Sequence, residues 1–308
     1  MNLIAKTMLK FKQQQVPMYF LLLALSVALT GVTLILGAIP MRVIRKSYSR
    51  KAYWLGLSSA VVLSFAFISH PIAAALAILA SLVGLYTDAE EAGSGFFASG
   101  FFASLTTSSF SLVAAAFWAT KKKVDLIQVA HANVEQVLAQ VKAINPQINW
   151  TTESLVYQVP SAFVIFLLAS LAVSVIWDKR LGKLLGLGNW ESSARSLLGF
   201  KTPDLLIWIS LAAIAGAFGQ QKYMAVQNVS MNLVNVLALV YFFQGLAISK
   251  HFFTLYRVSR IWQSVGFFFM LLQLFPLASL LGFTDYWVNY RTRFNKQRQS
   301  ESPFKSEN

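Results

Sequence analysis

The run MYFLLLALSVALTGVTLILGAI, Met18 to Ile39, contains no charged side chain. A bilayer core of about 30 Å is crossed by about 20 apolar residues in helical form, so this run reads as a membrane span. Lys6, Lys10 and Lys12 precede it, and Pro17 and Pro40 punctuate its ends. Its apolar stretch exceeds the core of about 7–15 residues typical of a cleaved signal, so a retained span is expected. The same character extends over most of the 308 residues, of which 56% are hydrophobic and 12% charged, with a mean hydropathy of +0.57. A soluble domain is about 45–50% apolar and about 25% charged. That contrast excludes a soluble globular protein, and disorder needs the opposite bias. With no cysteine, disulfides, zinc-thiolate sites and thiol catalysis are excluded together. The expected fold class is all-α, a polytopic transmembrane helix bundle.

The formal net charge of +14 would suggest nucleic acid in a soluble protein. Here the charge sits between apolar runs, so it reads as anchoring beside lipid headgroups, with membrane lipid as the partner and no nucleic acid. The first basic turn carries Arg42, Arg45, Lys46, Arg50 and Lys51. Ala52 to Tyr86 is then uncharged apart from His70, and His70-Pro71 splits it. Two helices, Ala52–Ser69 and Pro71–Tyr86, are expected, with a re-entrant hairpin as the alternative. An acidic loop follows with Asp88, Glu90 and Glu91.

The fourth span, Gly95–Thr120, opens with the tandem GFFAS-GFFAS. Gly95, Ser99, Ala103, Thr107, Ser111 and Ala115 recur every four residues and form a small-residue ridge that lets another helix approach closely. A sliding or gating helix and plain static packing both fit that ridge, and packing is the simpler reading. After Lys121–Lys123 the pattern changes. Ile127, Ala130, Val134, Val137, Leu138, Val141 and Ile144 fall at three- and four-residue steps with polar residues between them. This predicts an amphipathic helix over about Val124–Ile144 that does not span, within an insert of about residues 121–149. Its polar face is poor in Lys and Arg, which favours packing on protein over lying on lipid.

Leu155–Trp177 is the fifth span, followed by a basic linker with Lys179, Arg180, Lys183, Arg195 and Lys201. Leu205 to about Gln220, Tyr223–Ser249 and Ile261–Phe283 complete about eight spans. The membrane bundle is thus expected over residues 1–284, with a polar basic tail over 285–308. Lys and Arg divide evenly between the two sides, so the positive-inside rule leaves orientation open. The acidic third loop alone tips it, placing both termini in the cytoplasm.

Chemistry is sparse. The carboxylates fall in expected loops or helix ends, so no span supplies an acid at depth for a proton relay. The three histidines lie in separate segments without ligand spacing, so neither a metal nor a cofactor is expected. No phosphate-binding G-x-x-x-x-G-K-[ST] loop and no G-x-S-x-G or H-E-x-x-H motif is present, so an enzyme is not expected. Any transport would need a partner ATPase. The seventh span is the polar one. Asn228, Asn232 and Asn235 at i, i+4 and i+7 share one helix face. Amides in hydrocarbon must find partners, so this face turns inward, either to line a small-solute pocket or to bond neighbouring helices. Gln244 falls nearly opposite, with a separate partner. Ala24 and Ala28 form an A-x-x-x-A pair in the first span. Asp285, Trp287 and Arg291 are expected to act together at the exit of the last span. There Gly282 suggests a helix break, Trp287 sits at headgroup level, and Asp285 pairs with Arg257 or Arg260.

The run NLVNVLALVYFFQGLAISK (Asn232–Lys250), followed by LLGFTDYWVNYR (Leu280–Arg291), resembles the YybS-like family of bacterial membrane proteins. The matching positions are Gln244, Gly245, Asp285, Trp287 and Arg291, and FKTPDLLIW (Phe200–Trp208) resembles the family's Pro-Asp opening of the preceding span. The resemblance covers the second half well and the first half in hydropathy. It implies a multi-pass protein of the bacterial inner membrane. It also implies distant kinship with the rod-shape protein MreD and with the substrate-binding S-components of energy-coupling-factor transporters. Ala24 and Ala28 would match the S-component pair that touches the coupling subunit. Two functions are therefore expected in competition. One is an S-component-like subunit that binds a small solute and depends on a coupling ATPase. The other is a membrane scaffold of an envelope or cell-shape complex. A polar cavity reaching Asn232 and Asn235 favours the first, and a filled core with an exposed groove favours the second.

Overall fold

The computed structural model describes residues 3–187, 199–219 and 223–300. Arg195 of the basic linker and the end of the basic tail lie outside the described residues. Among those residues the chain forms thirteen α-helices and no strand. The helices form two compact units, Met1–Val124 with Phe166–Ala194, and Asp125–Ile165 with Arg195–Asn308.

In the first unit, α1 (Leu3–Thr33) runs through Pro17 instead of starting there. Proline removes one backbone hydrogen bond, and the turns on either side carry the helix past it. The expected span to Ile39 ends early. Leu34 turns left-handed at φ 57°, and Leu36 N–H donates to Thr33 Oγ1 at 3.2 Å. A Cβ at Gly37 would lie 1.9 Å from Thr30 Oγ1, so only glycine lets the chain pass α1 this closely. Helix α2 (Ala38–Ser47) follows, and Ala38 through Arg45 are all buried. The segment read as a basic turn is thus an internal helix, with Pro40 tolerated in its first turn.

Ser49 caps α3 (Arg50–Phe67) by accepting from Ala52 N, and Ser69 caps α4 (His70–Glu91) by accepting from Ile72 N. The split at His70-Pro71 falls where the sequence placed it. Tyr19 OH donates to Ala52 O and Tyr53 OH to Ala80 O, tying α1 to α3 and α3 to α4. Helix α5 (Phe96–Lys122) packs on α4 and buries Ser99, Ala103 and Thr107 of the small-residue ridge. Lys123, left-handed at φ 55°, closes it. The apolar core gathers Leu22, Met41, Ile44, Tyr53, Leu57 and Leu79.

The second unit begins with α6 (Leu126–Ile144), the expected amphipathic helix, capped by Asp125 accepting from Ile127 N. It packs on the short α7 (Thr152–Val156). Helix α8 (Val159–Leu184) gives its first residues to this unit and the rest to the other. Helix α9 (Leu205–Phe218) packs on α10 (Met224–Leu255), where Gly216 meets Ser230. Helices α11 (Arg260–Leu272) and α12 (Phe275–Val288) meet at 98°, and α13 (Tyr290–Ser300) follows. Helices α10 and α12 cross tightly. A Cβ at Gly245 would lie 2.0 Å from Ala278 O, and one at Gly282 would lie 1.9 Å from Tyr241 O. Gly282 is therefore the crossing point and not the expected helix break, since α12 continues to Val288 and stops at Asn289, φ 49°.

By length and composition, five helices among the described residues can cross a membrane, or six if the bent pair α11–α12 is one span. The about eight spans expected differ from this count in three places. Helix α3 opens with Arg50 and Lys51. The 14 residues of α9 reach only about 21 Å at 1.5 Å per residue. The eighth run is broken at Gln273-Leu274.

Candidate functional site

The first unit holds an ion network that its apolar runs did not announce. Arg42 and Asp178 are both fully buried, with Arg42 Nε 2.9 Å from Asp178 Oδ2. Arg42 Nη2 also donates to both oxygens of Glu90, at 3.0 and 3.2 Å, and Nη1 donates to Thr87 Oγ1 at 3.3 Å. Its guanidinium carbon lies 4.8 Å from the centre of the Tyr86 ring. Around this centre Arg45 pairs with Asp88 and Glu91, Lys46 Nζ with Glu90 at 2.7 Å, and Arg50 with Asp88 at 2.8 Å. Arg42, Arg45, Lys46 and Arg50 thus face Asp88, Glu90, Glu91 and Asp178, and the formal charges cancel.

A buried ion costs several kcal/mol unless its partners and hydrogen bonds are complete, which makes the network a tight cross-link of α2, α4 and α8. Two expectations are corrected here. Arg42 and Arg45 are not lipid anchors, because α2 folds inward and carries them with it. Nor are the carboxylates confined to loops and helix ends, since Asp178 lies inside α8 and is fully buried. One signal was available. A basic block before a helical hairpin and an acidic block after it must meet if the hairpin turns tightly, as it does at Ser69. No periodicity marks Asp178.

In the second unit the structure places the asparagines against the start of α8. Asn232 Oδ1 accepts from Ser161 N at 2.9 Å, and its Nδ2 donates to Tyr157 O at 2.6 Å and Asn228 O at 2.8 Å. Asn235 Nδ2 donates to Gln158 Oε1 at 3.4 Å and Ser161 Oγ at 3.3 Å. The first N–H groups of a helix have no partner within it, and Asn232 satisfies one of them from a neighbouring helix. Asn228 shares the face and is half-buried.

Gln244 is separate, as expected. Its Oε1 accepts from Thr202 N at 2.9 Å and Thr202 Oγ1 at 2.6 Å, and its Nε2 donates to Asp285 Oδ2 at 2.9 Å. Asp285 Oδ1 accepts from Tyr290 N at 2.9 Å, which fixes the turn into α13. Its partner is therefore this amide and backbone pair and neither Arg257 nor Arg260. Arg291 donates to the carbonyls of Gly199 and Phe200, and burial pulls its pKa below the ordinary value while Asp285 opposes that shift. Trp287 is half exposed, edge-on to Phe283 and Tyr286. Thr202, Gln244 and Asp285 thus form one latch with the amide of Gln244 at its centre, while Gly245 packs against Ala278. Among the described residues, no three His, Asp or Glu side chains are placed to hold a metal ion.

Ala24 and Ala28 face outward on α1. Ala24 lines an open groove of about 620 Å³ between α1 and α3, with Gly56, Ser59 and Ala60 contributing small residues and Phe20 and Leu63 an apolar rim. A family profile described as "Predicted membrane protein (DUF2232)" matches residues 17–286, and the chain belongs to that family of multi-pass membrane proteins. No curated protein and no solved structure matches it.

Proposed function

We propose that this DUF2232 protein is a non-enzymatic scaffold of the bacterial cytoplasmic membrane, which holds a transmembrane helix of a partner protein in the α1–α3 groove. One observation carries the reading. The groove exposes the small residues Ala24 and Ser59 beside an apolar rim, with Gly56 and Ala60 buried at its floor. Helix association in lipid depends on close backbone approach over such small residues, since lipid tails are as apolar as leucine. The asparagine stripe supports the same reading, because Asn232 and Asn235 bond the first turn of α8.

The test uses a photo-crosslinking residue at Leu63, which lines the groove, and another at its neighbour Val62, which does not. In native membranes a discrete protein adduct is expected from Leu63 alone, and Ala24→Leu, which fills the groove, should remove it. Lipid adducts at both positions would overturn the reading.

The alternative is an S-component-like solute-binding subunit that works with a coupling ATPase. The outward face of Ala24 and Ala28 favours it, since that pair would meet the coupling subunit. Asn235→Leu separates the two. Loss of a co-purifying small molecule at unchanged melting temperature favours solute binding. A lower melting temperature with nothing displaced favours the scaffold, in which Asn235 serves interhelical bonding worth about 0.6–2 kcal/mol.

A further inference from the structure

The two units treat their basic side chains differently. In the first, Arg42, Arg45, Lys46 and Arg50 are each paired with a carboxylate. In the second, the chain from Met224 to Lys296 carries Lys250, Arg257, Arg260, Arg291, Arg293 and Lys296 but a single carboxylate, Asp285. That carboxylate is already bonded to Gln244 and to Tyr290 N. Among the described residues, none of these six cations forms an ion pair.

The fold gathers them at one end of α10. Lys250 is the first charged residue of that helix, which marks the level where it leaves the hydrocarbon. Lys250 Nζ donates to Gln263 Oε1 at 2.5 Å and Phe253 meets Phe267 edge-on, so α11 touches this level. His251 Nε2 lies 3.1 Å from Asn295 Oδ1 and Phe252 packs on Phe294, so α13 touches it too. Arg257 and Arg260 are exposed at the turn from α10 into α11, and Arg293 and Lys296 are exposed on α13. Charge of one sign at this depth needs a counter-charge that the described chain does not supply. Anionic headgroups lie at the same level, and each Lys or Arg beside them strengthens binding about fivefold. The outer face of α11 suits the acyl chains of such a lipid. Ile261, Val265, Phe268 and Leu272 recur there at steps of four, three and four residues and are exposed, and Trp262 is a residue of the headgroup boundary.

We propose that the Lys250 end of the second unit is a binding surface for anionic phospholipid. Arg257, Arg260, Arg293 and Lys296 contact the phosphates, and the outer face of α11 rests on the acyl chains. The inference is independent of the α1–α3 groove.

The test places the full-length protein in nanodiscs of phosphatidylglycerol and phosphatidylcholine in equal parts and counts, by native mass spectrometry, the lipids that stay bound. Phosphatidylglycerol should exceed phosphatidylcholine about tenfold, and joint replacement of Arg257, Arg260, Arg293 and Lys296 by Gln should bring the ratio close to one. Melting of that variant in pure phosphatidylcholine should match the parent, and a fall there would assign these side chains to the fold instead. Arg50→Gln, which removes a paired cation of the first unit, should leave the lipid ratio within about twofold of the parent. Equal retention of the two lipids by the parent would overturn the proposal, and so would a comparable loss of preference in Arg50→Gln. Displacement of the bound lipid by millimolar inorganic phosphate would also overturn it, because the occupant would then be a soluble phosphate. So would a fourfold variant that keeps its lipid preference but loses an acidic protein from native membranes.

Discussion

At the centre of the first unit Arg42 and Asp178, of opposite formal charge, lie fully buried in a network that includes three further cations and three further carboxylates. In the second unit the buried carboxylate Asp285 has instead an amide, Gln244, and a backbone N–H, Tyr290 N, as its partners. The two arrangements solve one problem, the cost of polar groups among apolar helices. They differ in how failure would spread. Charge–charge cross-links depend on every member, because one missing partner strands a buried ion. The amide latch is local, and its helices are also held by the close crossing at Gly245 and Gly282. Membrane helices can thus be joined by balanced charge or by shape with a few neutral bonds, and the first is the less forgiving.

The sharpest way to break this comparison is Arg42→Met. It leaves Asp178 buried without its cation and should cost about 3–5 kcal/mol, read as lost folded yield and a lower melting temperature in mild detergent. Adding Asp178→Leu should recover most of that loss, since replacing both ions with apolar groups is often neutral. If the single variant melts like the parent, the network is not a structural cross-link.

A smaller effect is expected from Gln244→Leu, which strands Thr202 N and Asp285 Oδ2. The cost is about 1–3 kcal/mol, accompanied by faster proteolysis near Arg291. A loss as large as that of Arg42→Met would mean that the two units do not differ in kind. Smallest of all is Arg50→Gln at the exposed rim of the network. It should change stability by about 0–1 kcal/mol and lose even that at high salt. A larger drop would extend the unforgiving part of the network to the surface.

Much of the fold was legible beforehand because hydrophobic run length and periodicity are local properties. The break at His70-Pro71, the change of pattern after Lys123 and the amphipathic α6 all follow from residues within a few turns of one another. So does the shared face of Asn228, Asn232 and Asn235, which helix geometry fixes from spacing alone. The candidate site was only partly legible. Gln244, Gly245 and Asp285 could be named as a set, but not that Gln244 bonds Thr202, which lies far from it in sequence.

Composition and run length by themselves determined that this chain is a helical membrane protein, because no aqueous fold can bury so much apolar surface with so little charge to cover it. What only the tertiary structure decided is where the charges go. Whether Arg42 meets lipid headgroups or Asp178 depends on α1 stopping at Thr33 and on Gly37 letting α2 fold back along it. A count of charges is blind to that turn. Desolvation and pairing act between residues 136 positions apart, and only their meeting in space turns a basic loop into a buried bond.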